Sequence, residues 1–201
     1  MSLSTYADLQ TQVANWLARS DLNSFIPDMI TVFEAAACRR LKVRQMETAA
    51  SIVTSGGVGS LPSDYLGYRR VTWQGSPLVD LTYVAPSMFQ LDNPVADQGP
   101  PLEFTIEASS IKITPQDDTG LELLYYARTP AVRDALNWLY TNHPDAYLFG
   151  TLAEANMFMK GSALPLAASW KQRRDEVFDE IQHVEFWERG GMSVRVFGVT
   201  P

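Results

Sequence analysis

The spacing of apolar residues changes twice along this chain, near Glu47 and again near Pro130. Before the first point and after the second, apolar residues recur every three or four positions, as they do on one face of a helix. Between the two points, short runs rich in β-formers, such as EFTIE and IKIT, are separated by glycine and proline turns. This order predicts an α+β fold, in which a helical bundle carries an inserted β-rich subdomain between its second helix and its C-terminal helices. The predicted boundaries are residues 1–46 and 130–189 for the bundle, 47–129 for the insertion and 190–201 for an extended C-terminal tail.

Signals for helix starts predict two helices before the insertion. Thr5 and Asp8 form the pattern of a capping box, with Asp in place of Glu, and predict a helix that runs to about Arg19. Pro27 suits the first turn of a second helix. The side chains expected to face the core are Tyr6, Leu9, Val13, Trp16 and Leu17 on the first helix and Ile30, Phe33, Ala37 and Leu41 on the second.

The insertion and the segment after it carry further local signals. Phe104–Ile113 has the pattern of a hairpin that turns near residues 108–110, and Pro86–Leu91 has that of one helical turn. We expect the aromatic residues of the insertion to form its own core; they are Trp73, Tyr83, Phe104, Tyr125 and Tyr126. One later helix is predicted to start at Asn142 or His143 and to stop at Gly161, and Pro165 opens the last one. Their expected inward residues are Leu148, Leu152, Ala155, Phe158 and Met159, then Leu166, Trp170, Val177, Ile181 and Val184.

The composition excludes several classes of protein. The formal net charge is −7 and 19% of the residues are charged, which speaks against a protein that grips nucleic acid through its phosphates. A single cysteine, Cys38, excludes a disulfide framework and a multi-cysteine metal site, and fits assembly in a reducing cytoplasm. The first residues lack a basic segment followed by an apolar run, and no window holds eighteen uninterrupted apolar residues. We therefore expect neither a signal peptide nor a membrane span.

The triplet His143-Pro144-Asp145 is the first candidate for a functional motif. It matches the triplet of J-domain co-chaperones, which follows a strongly basic helix, whereas Asn137–Asn142 contains no Lys or Arg. A proline in a first helical turn, an asparagine cap at Asn142 and a carboxylate near the positive helix end explain the triplet as a helix start.

No combination of residues indicates catalysis. His143 and His183 lie on or beside different helices with no acid at metal-ligand spacing, and Glu154 is about three turns from His143. Ser55–Ser60 is glycine-rich, but it lacks the Lys-Ser/Thr end of a phosphate loop and is interpreted as a turn. The sequence therefore predicts no enzyme, no metal site and no cofactor.

Five segments, in this order, carry a resemblance to a known family: WLARSDL, FIPDMITVFEAAACRRLKVRQME, LPSDYLGYRRV, LELLYYARTP and NWLYTNHPDAYLFGTLAEANMF. With these segments the chain resembles the head-to-tail adaptor proteins of tailed bacteriophages over nearly its full length. The most specific pieces are IPDMI, LPSDYL and HPDAYLFGTLAEA. None of them is a catalytic signature, so the resemblance depends on their order and spacing.

The resemblance implies a non-enzymatic structural protein of the virion, located in the head–tail neck and assembled in the host cytoplasm. It implies a homo-oligomeric ring under the portal protein, twelvefold like the portal, that extends the DNA channel and offers a platform to tail nozzle, tube or fibre proteins. Genomic DNA would pass through the lumen without specific binding. The alternative is a soluble α+β ligand-binding or hydrolytic domain whose site is assembled from distant residues. Co-purification with phage particles and the portal protein discriminates between the two.

Two charged clusters are candidates for contacts between subunits or with the lumen, because a head-to-tail ring needs two different complementary surfaces. The basic cluster at the end of the second helix comprises Arg39, Arg40, Lys42 and Arg44. The acidic cluster on the last helix comprises Asp175, Glu176, Asp179, Glu180 and Glu185. The acids could instead line the lumen and keep DNA from adhering. Solvated faces, and pairing of the two clusters within one chain, are the alternatives.

The tail follows Gly190-Gly191 and is predicted to dock on the portal protein. As an extended segment it has Val194 and Val196 on one side and Arg195 and Phe197 on the other. So short a strand cannot bury its apolar side chains against one another, and we expect it to order on docking. The predicted docking residues are Val194, Arg195, Val196, Phe197 and Val199. A frayed terminus is the alternative.

Overall fold

The fold is α+β, as predicted, with six α-helices and two β-sheets among the described residues. The computed structural model describes residues 3–19, 21–92, 99–158 and 167–188. They divide into two compact units: the helical unit, which runs up to Val43 and resumes at Thr129, and the β unit, Arg44–Arg128. The helices are α1 (Tyr6–Leu17), α2 (Ile26–Arg40), α3 (Pro86–Asp92), α4 (Trp138–Asn142), α5 (Pro144–Phe158) and α6 (Ala167–Glu188), with α3 in the β unit.

The start of α1 confirms the predicted capping box. The backbone N–H of Asp8 donates to Oγ1 of Thr5 over 3.1 Å, and the N–H of Thr5 donates to Oδ2 of Asp8 over 3.1 Å. The helix ends at Leu17 because Ala18 adopts a left-handed conformation with φ of 51°. The start of α2 is also as predicted, with Pro27 in the first turn. Its four expected core residues, Ile30, Phe33, Ala37 and Leu41, are all buried.

The centre of the helical unit is α5. Every residue from Pro144 to Asn156 is buried or half-buried, as expected of a helix that is apolar all round and has neighbours on all sides. The helices α1, α2, α4 and α6 contact it. At Gly150 a Cβ atom would lie 2.1 Å from the ring of Phe33, so only glycine allows α2 to approach this closely.

The predicted start of this helix needs a correction. Asn142 and His143 do not begin it: Asn142 is the last residue of α4 and α5 starts at Pro144. The residue before a proline is disfavoured in the helical region, and His143 has φ of −135° and ψ of 63°. The asparagine that caps a helix here is Asn137, whose side chain accepts from the N–H of Tyr140 over 2.9 Å.

The burial pattern of α6 agrees with the prediction at Trp170, Val177 and Ile181 and differs at Val184. Val184 was expected to face inward but is 57% exposed, so that expectation is wrong. Helical spacing identifies a face but does not tell where along a helix its packing partner ends. The expected core residues Leu166 and Met159 lie outside the described residues, and so does the side chain of Phe158.

The β unit consists of two sheets. The first has the strand order β1-β9-β4-β5, from β1 (Glu47–Ile52), β9 (Leu121–Ala127), β4 (Tyr65–Trp73) and β5 (Val79–Asp80). The second has the order β2-β3-β8-β7-β6, from β2 (Thr54–Ser55), β3 (Val58–Ser60), β8 (Ser110–Thr114), β7 (Glu103–Glu107) and β6 (Thr82–Tyr83). Only the β6–β7 pair is parallel among the described strands. Residues of both sheets form one core, including Val71, Leu123, Phe104 and Ile111.

Three local predictions in the β unit are confirmed and one is wrong at a single residue. The predicted helical turn at Pro86–Leu91 is α3. Strands β7 and β8 form the expected hairpin, which turns at Ala108 with φ of 51°, and the glycine-rich segment is the turn between β2 and β3. Four of the five aromatic residues predicted to form the core are buried. The fifth, Tyr83, is 41% exposed because it lies on a two-residue edge strand, where its ring stacks on that of Tyr68.

Candidate functional site

The charged clusters of α2 and α6 meet within one chain. The guanidinium of Arg40, the last residue of α2, binds the carboxylate of Asp175, and its Nη2 lies 2.8 Å from Oδ1 of Asp179. Asp175 and Asp179 are four residues apart on α6 and therefore project from the same face. The guanidinium also lies over the buried ring of Phe178, with Cζ 5.2 Å from the ring centroid. One arginine is thus held by two carboxylates and an aromatic face, an arrangement we call the Arg40 clamp.

Three further contacts extend the Arg40 clamp. Nη2 of Arg174 lies 2.9 Å from Oδ1 of Asp175, and its Nη1 lies 3.3 Å from Oε1 of Glu154 on α5. The side chains of Arg174 and Glu154 are only 14% and 17% exposed, so this pair is more desolvated than an ordinary surface pair. The backbone carbonyl of Arg40 accepts from Nε2 of Gln182 over 3.0 Å. The charged groups therefore join α2, α5 and α6.

The electrostatics of the Arg40 clamp agree with its geometry. Partial burial on its own would raise the pKa of Asp175, but the hydrogen bonds and charges of Arg174 and then Arg40 outweigh it and lower that pKa. The pKa of Glu176 is lowered by hydrogen bonds from Arg173 and Gln172 on the same helix. Both carboxylates are held in the ionised form.

The remaining predicted charges are not part of the clamp. Arg39 and Lys42 are exposed, and neither makes an ion pair with a described residue. Glu180 is exposed and, among the same residues, also has no ion pair. Arg44 is exposed in the β unit. The side chain of Glu185 and the predicted docking residues of the tail, Val194–Val199, lie outside the described residues.

Pairing within one chain therefore applies to Arg40, Asp175 and Asp179. The sequence left pairing within one chain open as an alternative, and the structure shows the contacts by which these three residues pair. Contacts between subunits or with the lumen stay a prediction for the other charges of the two clusters, which are Arg39, Lys42, Arg44, Glu176, Glu180 and Glu185.

A buried polar cluster in the helical unit was not found from the sequence. Oε1 of Glu34 accepts from the backbone N–H of Val132 over 2.7 Å and from the hydroxyl of Tyr147 over 3.1 Å. The side-chain amide of Asn137 donates to the Tyr147 hydroxyl over 2.6 Å and to the carbonyl of Pro130 over 2.8 Å. The cluster fastens the chain that returns from the β unit onto α2 and α5.

Burial governs the ionisation of this cluster. It raises the pKa of Glu34, although the hydrogen bonds from Val132 and Tyr147 oppose it. It also raises the pKa of Tyr147, which stays a neutral hydrogen-bond donor. One sequence signal could have found the cluster: Glu34 is an acid between the core positions Phe33 and Ala37 of α2.

Neither a metal-binding group nor a membrane-spanning helix occurs among the described residues. Within residues 3–19, 21–92, 99–158 and 167–188, no group of three His, Cys, Asp or Glu side chains is arranged to hold a metal ion. No helix in the same ranges combines the length and apolar character that crossing a membrane requires. His143 follows α4, and its ring lies edge-on to that of Trp138 with the centroids 6.5 Å apart.

Comparison with known proteins assigns the chain to a family. A family model described as SU10 adaptor protein matches residues 4–196 and therefore spans both units. No curated protein matches the chain.

Proposed function

We propose a function from the premise that this chain belongs to the SU10 adaptor protein family. It is a structural adaptor protein of a bacteriophage, and membership implies a place in the neck of the virion, contacts with head and tail proteins and a non-enzymatic role. Beyond this, our proposal is that it forms a head-to-tail ring, twelvefold, beneath the portal protein. The ring extends the DNA channel and gives the tail nozzle, tube or fibre proteins a platform. The match over residues 4–196 is the observation that carries the proposal.

The contacts of the ionisable groups support an architectural role. The charged groups of the Arg40 clamp and the Glu34 cluster form ion pairs and hydrogen bonds that hold helices together within the subunit. In these two places the polar groups bind each other. Such contacts hold the helices of a subunit in one arrangement, which a structural subunit needs.

The decisive experiment measures which proteins the neck of the virion contains and in what amounts. Virions are disrupted, the portal-containing complex is isolated, and the amounts of this chain and of the portal protein are measured by quantitative mass spectrometry. We expect the two proteins to co-purify in equal copy number. A chain that stays in the lysate, or occurs in particles without the portal complex, would reject the proposed function.

For contacts between subunits, the helical unit offers Arg39 and Lys42, two exposed cations that make no ion pair with the described residues. We propose that they face carboxylates of the neighbouring subunit. Exposed pairs are individually weak, so they tune the register of the ring more than its affinity. Replacing Arg39 and Lys42 by Glu should make ring formation defective, and more so at low salt than at high salt. Assembly that does not respond to either change contradicts this assignment.

For the lumen, the proposal is that the exposed acidic face of α6 keeps DNA from adhering. Because Asp179 binds Arg40, replacing it also breaks the clamp and confuses the result. The clean variant is Glu180→Lys with Glu185→Lys, and Asp179→Asn serves as the control for damage to the clamp. We expect slower DNA ejection from assembled particles for the first variant alone. Unchanged ejection kinetics would assign this face to solvent.

For the portal contact, the proposal is that residues 194–199 dock on the portal protein as an added strand. A chain that ends after Arg189 should keep the helical circular dichroism signal and the thermal midpoint of the full chain, yet fail to bind portal-bearing heads. Docking as tight as that of the full chain would exclude this role for the tail.

A further inference from the structure

The four edge strands of the β unit differ in length. The edges of the second sheet, β2 and β6, have two residues each, and so does β5 at one edge of the first sheet. The other edge of the first sheet is β1, which has six residues. An edge strand presents unpaired backbone groups that another chain can bind, and proteins protect such edges by short length, lysine, proline or a bulge. β1, with the sequence ETAASI and an unbroken register to β9, is neither short nor interrupted by proline or a bulge, and its one charged residue, Glu47, is at its first position.

Exposed aliphatic side chains lie beside both edges of the same sheet. Val53, directly after β1, is 83% exposed, and Leu78, directly before β5, is 71% exposed. Among the described residues these are the two most exposed large hydrophobic side chains. Single exposed apolar side chains are normal on a protein surface, so what counts for these two is their position along the sheet.

The strand register puts these two side chains at the same level. One row of paired residues crosses the whole sheet: Ile52 pairs with Leu121, Leu121 with Trp73, and Trp73 with Val79. Val53 is one residue beyond Ile52 on β1, and Leu78 is one residue before Val79 on β5. Because all pairs of this sheet are antiparallel, β1 and β5 run in opposite directions, so both residues lie one step beyond that row on the same side.

We propose that β5 of one subunit lies antiparallel beside β1 of the next, so that the first sheet continues from copy to copy around the ring. Setting a second copy beside the first, in the same orientation, puts Val79 opposite Ile52 of the neighbour and Leu78 opposite Val53. The antiparallel pattern of the sheet continues unchanged. The contact joins two different surfaces, which is what a closed ring requires and what a two-fold dimer does not use.

This inference rests on the proposed ring and names one of its interfaces. With β5 only two residues long, the backbone pairing is short and sets the register between copies. A stable interface buries on the order of 1,200 Å² or more, so surfaces of the subunit other than β1 and β5 must supply most of the area.

Cysteine cross-linking tests the contact in the full chain. Cys38 is first replaced by Ala, and Val53→Cys and Leu78→Cys are combined. Within one subunit the two positions are separated by three strand spacings, about 14 Å, whereas a disulfide needs Cα atoms about 4.4–6.8 Å apart. Any disulfide must therefore join two copies. From the portal-bound complex under mild oxidation, we expect a ladder of covalent oligomers on a non-reducing gel that collapses to monomer on reduction.

The matched control combines Val53→Cys with Leu102→Cys. Leu102 is 59% exposed but directly precedes β7 of the second sheet, so this pair should give no ladder. A ring present in the complex without the Val53–Leu78 ladder, or with an equal ladder from the control pair, overturns this inference and leaves the ring standing. Dimers from Val53→Cys alone would show a like-to-like contact and also overturn it. A complex that contains no ring rejects the proposed function, and this inference fails with it.

Discussion

Replacing Arg40 by methionine removes its guanidinium while keeping an apolar side chain of similar length over Phe178. The variant loses two ion pairs, to Asp175 and Asp179, and the contact of the cation with the aromatic face. Arg40 is 36% exposed and its partners are 32% and 70% exposed, so each pair is worth at most about 1 kcal/mol. The cation–aromatic contact adds about 0.5–1 kcal/mol. Together these contributions predict a loss of about 1–3 kcal/mol in the free energy of unfolding.

The neighbouring residue provides the matched control. Arg39 is exposed and makes no ion pair with the described residues, so Arg39→Met should change stability by less than about 0.5 kcal/mol. Urea unfolding followed by far-UV circular dichroism reports on the helical unit and measures both variants under the same conditions. At about 1 M salt the difference between them should shrink, because screening weakens partly exposed pairs.

Two results would refute this reasoning. Equal stability of the Arg40 and Arg39 variants would mean that the clamp contributes nothing that a surface arginine does not. A difference that is the same at low and high salt would show that the two ion pairs are not its cause.

Three further predictions concern the helical unit. Gly150→Ala places a methyl group 2.1 Å from the ring of Phe33, so the thermal midpoint should fall by roughly 2–10 °C. Phe33→Leu in the same chain should restore part of the loss. An unchanged midpoint contradicts the close approach of α2 and α5. Ala18→Gly relieves the strain of a left-handed alanine backbone at the end of α1 and should raise the free energy of unfolding by up to about 1 kcal/mol, measured by urea unfolding. A lower free energy of unfolding would argue against that conformation. The lowered pKa of Asp175 means that its contribution to stability is present above the ordinary carboxyl range and is lost as the pH falls through the folded-state pKa. The stability gap between wild type and Asp175→Asn should therefore be constant near neutral pH and close below about pH 4, and a gap that persists in acid would show that ionisation is not its cause.

Features that depend on neighbouring residues could be predicted from the sequence. The capping box at Thr5, the proline in the first turn of α2 and the β7–β8 hairpin each follow from residues within a few positions of one another. The same holds for the change of periodicity that separates helices from strands. Local rules also caused one error, because they favoured Asn142 as a cap when Asn137 was equally suitable and preceded a short helix.

Features that depend on distant residues could not be predicted. The sequence identified the basic and acidic clusters, but not that Arg40 binds Asp175 at a separation of 135 residues. Glu34 and Tyr147 are 113 residues apart, and only the acid's position on a buried face marks it. Which charge binds which depends on how α2, α5 and α6 pack, and apolar spacing does not specify the turn at which two helices meet.

The pairing of Glu47 with Tyr126 has a consequence for how such a protein can evolve. Residues that face each other across an antiparallel ladder have Cα atoms about 5 Å apart, so the chain enters and leaves the β unit at adjacent points. A segment with adjacent ends can be shortened, enlarged or exchanged by recombination without separating α2 from the helices that follow. Related phages could in this way vary the surface carried by the β unit while inheriting the same helical unit.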